Sequence, residues 1–262
     1  MNNRITKCFN ELKKNKEKAL IPFITGGDPD IETTEKLILA MEEAGAHMIE
    51  IGIPFSDPIA EGVVIQDAAA RALSAGCTVD KLFDMVKRLR KETHMPLLFM
   101  TYANPIYAYG KERFMEKCRE VGIDGIIVPD VPFEEKDEFE TVCNKNEIAL
   151  ISLIAPTSGE RVEKIAKEAQ GFLYCVSSLG VTGIRKKIST NLEELIGQVR
   201  KTSSIPCAIG FGISTPKQAK ELASVADGVI IGSAIVKLVG EYGRDSVAYV
   251  KEFVREVKNK MS

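Results

Sequence analysis

Histidine is nearly missing from this chain: His47 and His94 are the only two imidazoles among 262 residues. They stand far apart in the sequence, which leaves little for a histidine-based mechanism or an imidazole-built metal centre. The six cysteines (Cys8, Cys77, Cys118, Cys143, Cys175 and Cys207) include no Cys-x-x-Cys pair. Neither a zinc site nor a disulfide framework is indicated, and the thiols read as free and buried in a reducing compartment. No apolar run approaches the roughly 20 residues that cross a bilayer. The opening stretch from Met1 to Cys8 lacks the apolar core of a signal peptide, so a cytoplasmic location is expected. An excess of one charge is missing too: 35 basic against 37 acidic residues leave a net charge of −2. That balance argues against a nucleic-acid binder working through a basic surface.

What is there is the material of an ordinary globular core, with 45% hydrophobic and 27% charged residues. Short apolar runs alternate with longer amphipathic stretches. Strands are expected at Leu20–Thr25, Met48–Ile53, Leu97–Thr101, Gly125–Val128, Leu150–Ile154, Phe172–Val176, Cys207–Gly210 and Gly228–Ile231. Most lack the polar alternation of a half-exposed strand, which implies a sheet covered on both faces. Helices are expected at Ile31–Ala44, Val63–Ser74, Val79–Lys91, Lys111–Val121, Glu134–Lys145, Gly159–Glu168, Leu192–Lys201, Pro216–Ser224 and Asp245–Lys260. An additional helix, Ile5–Asn15, precedes the first strand. Eight strand–helix units repeating at about 30 residues fit a single-domain (β/α)8 TIM barrel over residues 1–262. A doubly wound sheet buries its strands in the same way and stands as the alternative. Two stretches break the rhythm, Pro54–Gly62 and Leu179–Thr190, and both follow strand C-terminal ends, where barrel enzymes carry their working loops.

Three glycine clusters follow the last three strands: Gly180-Val181-Thr182-Gly183, Gly210-Phe211-Gly212 and Gly232-Ser233. The third opens a short helical run, and a helix N-terminus offers unpaired N–H groups to an anion. Together the clusters point to a phosphate ester without naming it. Within Met48–Ile53, alternation sends Ile49, Ile51 and Ile53 toward the helices and Met48, Glu50 and Gly52 into the barrel. A carboxylate there is costly unless it is paired or functional, and desolvation moves it toward an acid/base range. A buried Glu satisfied by a Tyr or Thr hydroxyl is the structural alternative. Asp57, before Pro58, reads as a turn residue, and Asp130 as a loop anchor. None of the expected strands holds a lysine, so a Schiff-base aldolase lacks its nucleophile.

Six segments carry a family likeness: Pro22–Pro29, Glu50–Pro58, Pro129–Pro132, Gly180–Gly183, Gly210–Ile213 and Gly232–Val236. Their order and spacing resemble the tryptophan synthase alpha subunit nearly end to end. The resemblance implies a metal-free retro-aldol cleavage of indole-3-glycerol phosphate to indole and glyceraldehyde 3-phosphate. It assigns Glu50 as the strand-borne catalytic acid/base. Glu61 takes the place of a second acid that is usually aspartate, one methylene longer here. Phe23, Met100 and Tyr174 match the indole pocket, as do Ile127 and Leu153, for which ordinary barrel packing is an equal reading. Thr182 matches a mobile-loop threonine, and Gly183, Gly212, Gly232 and Ser233 would hold the phosphate. Val63 stands where the family commonly has proline. No cofactor is implied in this chain; pyridoxal phosphate is expected in a beta subunit, the partner in an alpha2-beta2 heterotetramer. Pro54–Gly62 and Ala103–Gly110 are the expected contact loops, with Asn104-Pro105 as a rigid turn. A stand-alone lyase, a non-catalytic activating subunit and another phosphate-binding barrel enzyme are the alternatives.

Overall fold

The computed structural model describes residues 3–176, 185–210 and 212–261, with side chains left aside at 185–191. Its strands are β1 (Ala19–Thr25), β2 (Ile49–Gly52), β3 (Leu97–Met100), β4 (Gly125–Ile127), β5 (Ala149–Leu150), β6 (Ser152–Ile154), β7 (Leu173–Val176), β8 (Cys207–Gly210) and β9 (Gly228–Ile231). All pairs are parallel, in the order β5-β4-β3-β2-β1-β9-β8-β7-β6. Only Ile151 separates β5 from β6, and its N–H donates to the Ile126 carbonyl at 2.9 Å. The two are one stave whose ladder passes from β4 on one side to β7 on the other, closing an eight-stave TIM barrel. The single strand expected at Leu150–Ile154 is therefore split by this change of neighbour.

Two apolar cores follow from strand alternation. Ile49, Ile51 and Ile53 join Leu20, Ile24, Phe99 and the helix faces in an outer core. Ile21, Phe23, Met48, Leu98, Met100, Ile127 and Tyr174 fill the barrel itself. The expected direction of β2 is the observed one. Beneath the inner core lies the N-terminal helix, Arg4–Asn15, capped by Asn3 accepting from the Thr6 N–H at 3.2 Å. Ile5, Phe9 and Leu12 plug the barrel floor. Ile5 fits there because Gly125 carries no side chain: a Cβ on Gly125 would lie 3.0 Å from Ile5 Cδ1.

The helices agree with the periodicity except at two loops. Ala103–Tyr109, expected as a turn-bearing loop, is a helix. Pro105 sits in its first turn, where the missing N–H has no intrahelical partner to lose. Residues 185–190, placed in the loop after the sixth expected strand, belong to the helix Arg185–Thr202. Their polar run, Arg-Lys-Lys-Ile-Ser-Thr, gives no apolar stripe by which to read it. Ser233–Tyr242 extends the short run expected after Gly232. Among the described residues, no helix is long and apolar enough to cross a membrane.

Candidate active site

Strand register places the inward side chains of β1, β2, β3 and β7 around one opening at the C-terminal end of the barrel. Phe23 is level with Glu50, and Gly52 with Met100. Glycines make room for the two aromatic rings. A Cβ on Gly52 would lie 2.7 Å from Phe23 Cζ, and one on Gly232 would lie 3.2 Å from Phe23 Cδ1. On Gly210 it would lie 2.6 Å from Tyr174 Cζ. The result is a narrow cleft of about 60 Å³ lined by Phe23, Glu61, Ile65, Met100, Tyr174, Gly212, Gly232 and Ser233.

Glu50 lies on this inner face, 1% exposed, and neither carboxyl oxygen has a hydrogen-bond partner among the described residues. The alternative of a Glu satisfied by a neighbouring hydroxyl is therefore not what the structure holds. A buried, unpaired carboxylate loses its hydration without compensation, which favours the neutral acid. Burial pushes the Glu50 carboxyl up to about 8, and the charge of Glu61 adds to the rise.

Glu61 closes the loop between β2 and the helix Val63–Ser74. Its own N–H donates to the Pro58 carbonyl at 3.1 Å, while its carbonyl accepts from Gln66 Nε2 at 2.8 Å. One residue earlier, the Ala60 N–H donates to the Tyr102 hydroxyl at 2.9 Å. Phe55 packs on the same tyrosine ring at 5.4 Å. These contacts turn the Glu61 side chain into the cleft, where burial raises it to about 7. Asp57 accepts from Ser56 Oγ at 2.5 Å, and its carbonyl accepts from the Ile59 N–H at 2.9 Å, just ahead of the turn from Pro58 to Glu61. Asp130 anchors the neighbouring helix by accepting from the Ala103 N–H at 3.0 Å.

Across the cleft, Ser233–Tyr242 begins with Gly232 as its N-cap and no side chain capping it. Its first N–H groups and the Ser233 hydroxyl could receive an anion, with the positive end of the helix dipole behind them. Thr182 and Gly183 lie outside the described residues. Of the expected pocket residues, Phe23, Met100, Tyr174, Gly212, Gly232, Ser233 and Glu61 meet at the cleft. Ile127 sits in the inner core and Leu153, half-buried, packs against it and lines the hollow beside β4–β6; neither lines the cleft. Sequence reasoning passed over Tyr102 and Ile65. Each had a readable signal: an aromatic just past the end of a strand, and an apolar residue one helical turn beyond Glu61.

Larger hollows lie elsewhere: one of about 520 Å³ at the barrel floor, one of about 390 Å³ around Lys16, Lys18 and Lys258, and one of about 200 Å³ beside β4–β6. The first and last are lined by no acidic residue, and Glu17 in the second is paired with Lys258 at 2.7 Å, so size is the wrong guide. His47 is likewise remote from the cleft's chemistry, its Nδ1 accepting from the Leu20 N–H at 2.9 Å. Among the described residues, no group of three His, Cys, Asp or Glu side chains is placed to hold a metal ion.

Comparison with known proteins meets this geometry with the same chemistry. The family model for tryptophan synthase alpha chain matches residues 9–262. The tryptophan synthase alpha chain of Caldanaerobacter subterraneus subsp. tengcongensis is 47% identical over 258 residues, which cover 98% of each chain. Tryptophan synthase subunit alpha from Legionella pneumophila str. Paris superposes with a TM-score of 0.91 at 37% identity, covering 100% of this chain and 99% of that one. A chain of the tryptophan synthase complex from Pyrococcus furiosus gives 0.83 at 36% identity, covering 92% and 98%. With sequence and barrel in agreement over nearly the whole length, the chain belongs to the tryptophan synthase alpha chain family.

Proposed function

We propose that Glu50 and Glu61 are the two proton-transfer groups of the alpha reaction, the cleavage of indole-3-glycerol phosphate that this family of lyases catalyses. The observation that carries this reading is the state of Glu50: fully buried, unpartnered and raised to about 8 beneath the cleft. Near neutral pH it starts protonated, as a general acid must, while Glu61, raised to about 7, is about half ionised and in that form accepts a proton. Glu50 protonates the indole carbon that bears the glycerol chain, and Glu61 takes the ring N–H proton. The Glu50 carboxylate then removes the proton of the adjacent hydroxyl. The carbon–carbon bond breaks, its electrons return to the ring, and the ring nitrogen recovers its proton from Glu61. Indole and glyceraldehyde 3-phosphate result. Every proton given is taken back, so the step calls for no cofactor in this chain.

Ser233, Gly232 and Gly212 seat the phosphate at the helix N-terminus, with Thr182 and Gly183 as further candidates. Phe23, Met100 and Tyr174 bound the indole ring. About 60 Å³ is room for roughly two water molecules, so the substrate must widen the cleft on entry. The partner in this reading is a beta subunit carrying pyridoxal phosphate, in an alpha2-beta2 assembly in the cytoplasm. Ile59, 83% exposed, and Tyr107 put apolar surface on the two stretches first expected to meet it, and exposed Val63 adds to it at the start of the next helix.

Indole release by the purified chain, with and without a beta subunit, tests the assignment. Glu50→Gln should lower turnover by at least about a hundredfold while leaving the fold and phosphate affinity in place. Glu61→Ala should cripple turnover with somewhat more residual rate, and Glu61→Asp should keep much of it. Wild-type turnover in Glu50→Gln would remove the mechanism. A rate in the isolated chain equal to that in the complex would favour the stand-alone lyase.

A further inference from the structure

The helix that carries Glu61 into place has little of its own to hold it. Fully buried on Val63–Ser74 are only Ala68, Ala69 and Ala72, while Val64 and Ile65 in its first turn pack part-buried against the inner core, and its N-cap, Gly62, makes no side-chain bond. Alanines slide where larger side chains would interlock, so a polar contact beyond the first turn adds to what fixes the helix along its axis. The guanidinium of Arg71 supplies one. Its Nε donates to Asp28 Oδ1 at 2.9 Å and its Nη2 to Asp28 Oδ2 at 2.8 Å, a two-point fork that fixes direction as well as distance. Asp28 is 2% exposed. It belongs to the loop after β1, which is itself tied down: the Gly27 N–H donates to Thr34 Oγ1 at 3.0 Å, and Cys77 Sγ reaches the Gly26 carbonyl at 3.5 Å.

The same guanidinium touches a third element. It lies over Gly240, where a Cβ would come within 3.1 Å of Nη2. Gly240 is on the helix Ser233–Tyr242, whose first turn is the anion seat. One side chain thus spans the strand that carries Phe23, the helix behind Glu61 and the helix that faces the phosphate.

We propose that Arg71, through its fork to Asp28 and its packing on Gly240, is a positioning residue that sets Glu61 in register with the phosphate seat. Arg71 is ten residues from Glu61, about 15 Å along a helical path, and acts through the rigid helix without touching substrate. The inference rests on Glu61 being the proton acceptor. A displacement of about 1 Å at a reacting group is enough to cost about a hundredfold in rate, so a small axial slip of this helix matters.

The test is a double-mutant cycle on the full chain, read as kcat and KM for indole release at a temperature below the unfolding midpoint of every variant. Arg71→Lys keeps the charge and loses the fork. Arg71→Gln combined with Asp28→Asn removes both charges and leaves no buried carboxylate unpaired. Each should lower kcat about tenfold with KM within about twofold, and should move the pH limb that Glu61 sets. In a Glu61→Ala background the same changes should lower kcat no further. An undiminished kcat in the clamp variants beside a crippled Glu61→Ala overturns the inference alone. A full additional loss in the Glu61→Ala background also overturns it, since the clamp would then act by another route. A silent Glu61→Ala overturns the reading on which it rests.

Discussion

Replacing Glu50 with glutamine should make the protein more stable at alkaline pH, and the gain should grow with pH in a stated window. In the unfolded chain the carboxyl ionises near 4.5, and in the folded barrel near 8. Below pH 4.5 it is protonated in both states, and Glu and Gln are close to equivalent. Between the two values the folded state retains a proton that the unfolded state has released, so stability falls as pH rises. The difference of 3.5 between the two, at about 1.4 kcal/mol for each tenfold in the ionisation constant, amounts to about 5 kcal/mol at pH 8 and above. Full burial means that solvent does not screen this cost, which is as large as a third or more of the about 5–15 kcal/mol that holds a typical domain folded. Glutamine never pays it. Glu61 is present in both proteins and cancels to first order. Urea unfolding from pH 5 to pH 9, with equal slopes against denaturant, should give a wild-type-to-variant difference near zero or constant at the acid end that climbs by several kcal/mol toward pH 8 and then levels. A flat difference across that range would mean that the carboxyl is hydrated or paired in solution, and the basis for its role as an acid would go with it.

Two further substitutions test the walls of the cleft. Gly210→Ala drives a methyl into the Tyr174 ring, whose Cζ would lie 2.6 Å away, so the ring must tilt into the cleft. KM for the substrate should rise severalfold and stability should fall by about 1–3 kcal/mol, measured by steady-state kinetics and thermal unfolding; unchanged KM would place the indole elsewhere. Ser233→Asp puts a carboxylate at the first turn of the helix proposed to seat the substrate phosphate. It should leave folding unharmed, or better by about 0.3–1 kcal/mol from the helix dipole, while raising KM more than tenfold; equal KM would refute the phosphate seat.

The barrel was legible because its strands are covered on both faces and so read as unbroken apolar runs. Even the facing of β2 could be taken from alternation alone, since Ile49, Ile51 and Ile53 needed one environment and Glu50 another. What escaped was local. Ala103–Tyr109 hides behind Asn104-Pro105, a pair equally at home in a turn and in a first helical turn. The split of the fifth stave at Ile151 is a matter of which neighbour accepts each hydrogen bond, and no single strand encodes that. In the site, Glu50 announced itself as a charge among apolar residues. Glu61 did not, because a loop acid is ordinary until a fold turns it inward, and only the likeness to a family marked it. Tyr102 was missed for the same reason: its role depends on Ala60, which lies 42 positions away and reaches it only after β2 and β3 are side by side.

The glycines that make room for the two rings share a common effect on the inner face near the mouth. Gly52 and Gly232 both abut Phe23, and Gly210 abuts Tyr174, so the inner face near the mouth is thinned wherever a ring must lie flat against it. Rings packed on bare backbone leave no hydroxyl or amide side chain facing Glu50 from those positions, and its two oxygens remain unpartnered. The same small residues therefore shape an aromatic slot beside a carboxyl that has no hydrogen-bond partner among the described residues. In the function proposed above, the proton donor for indole and the slot for indole share one origin, the small residues at the ends of β2, β8 and β9.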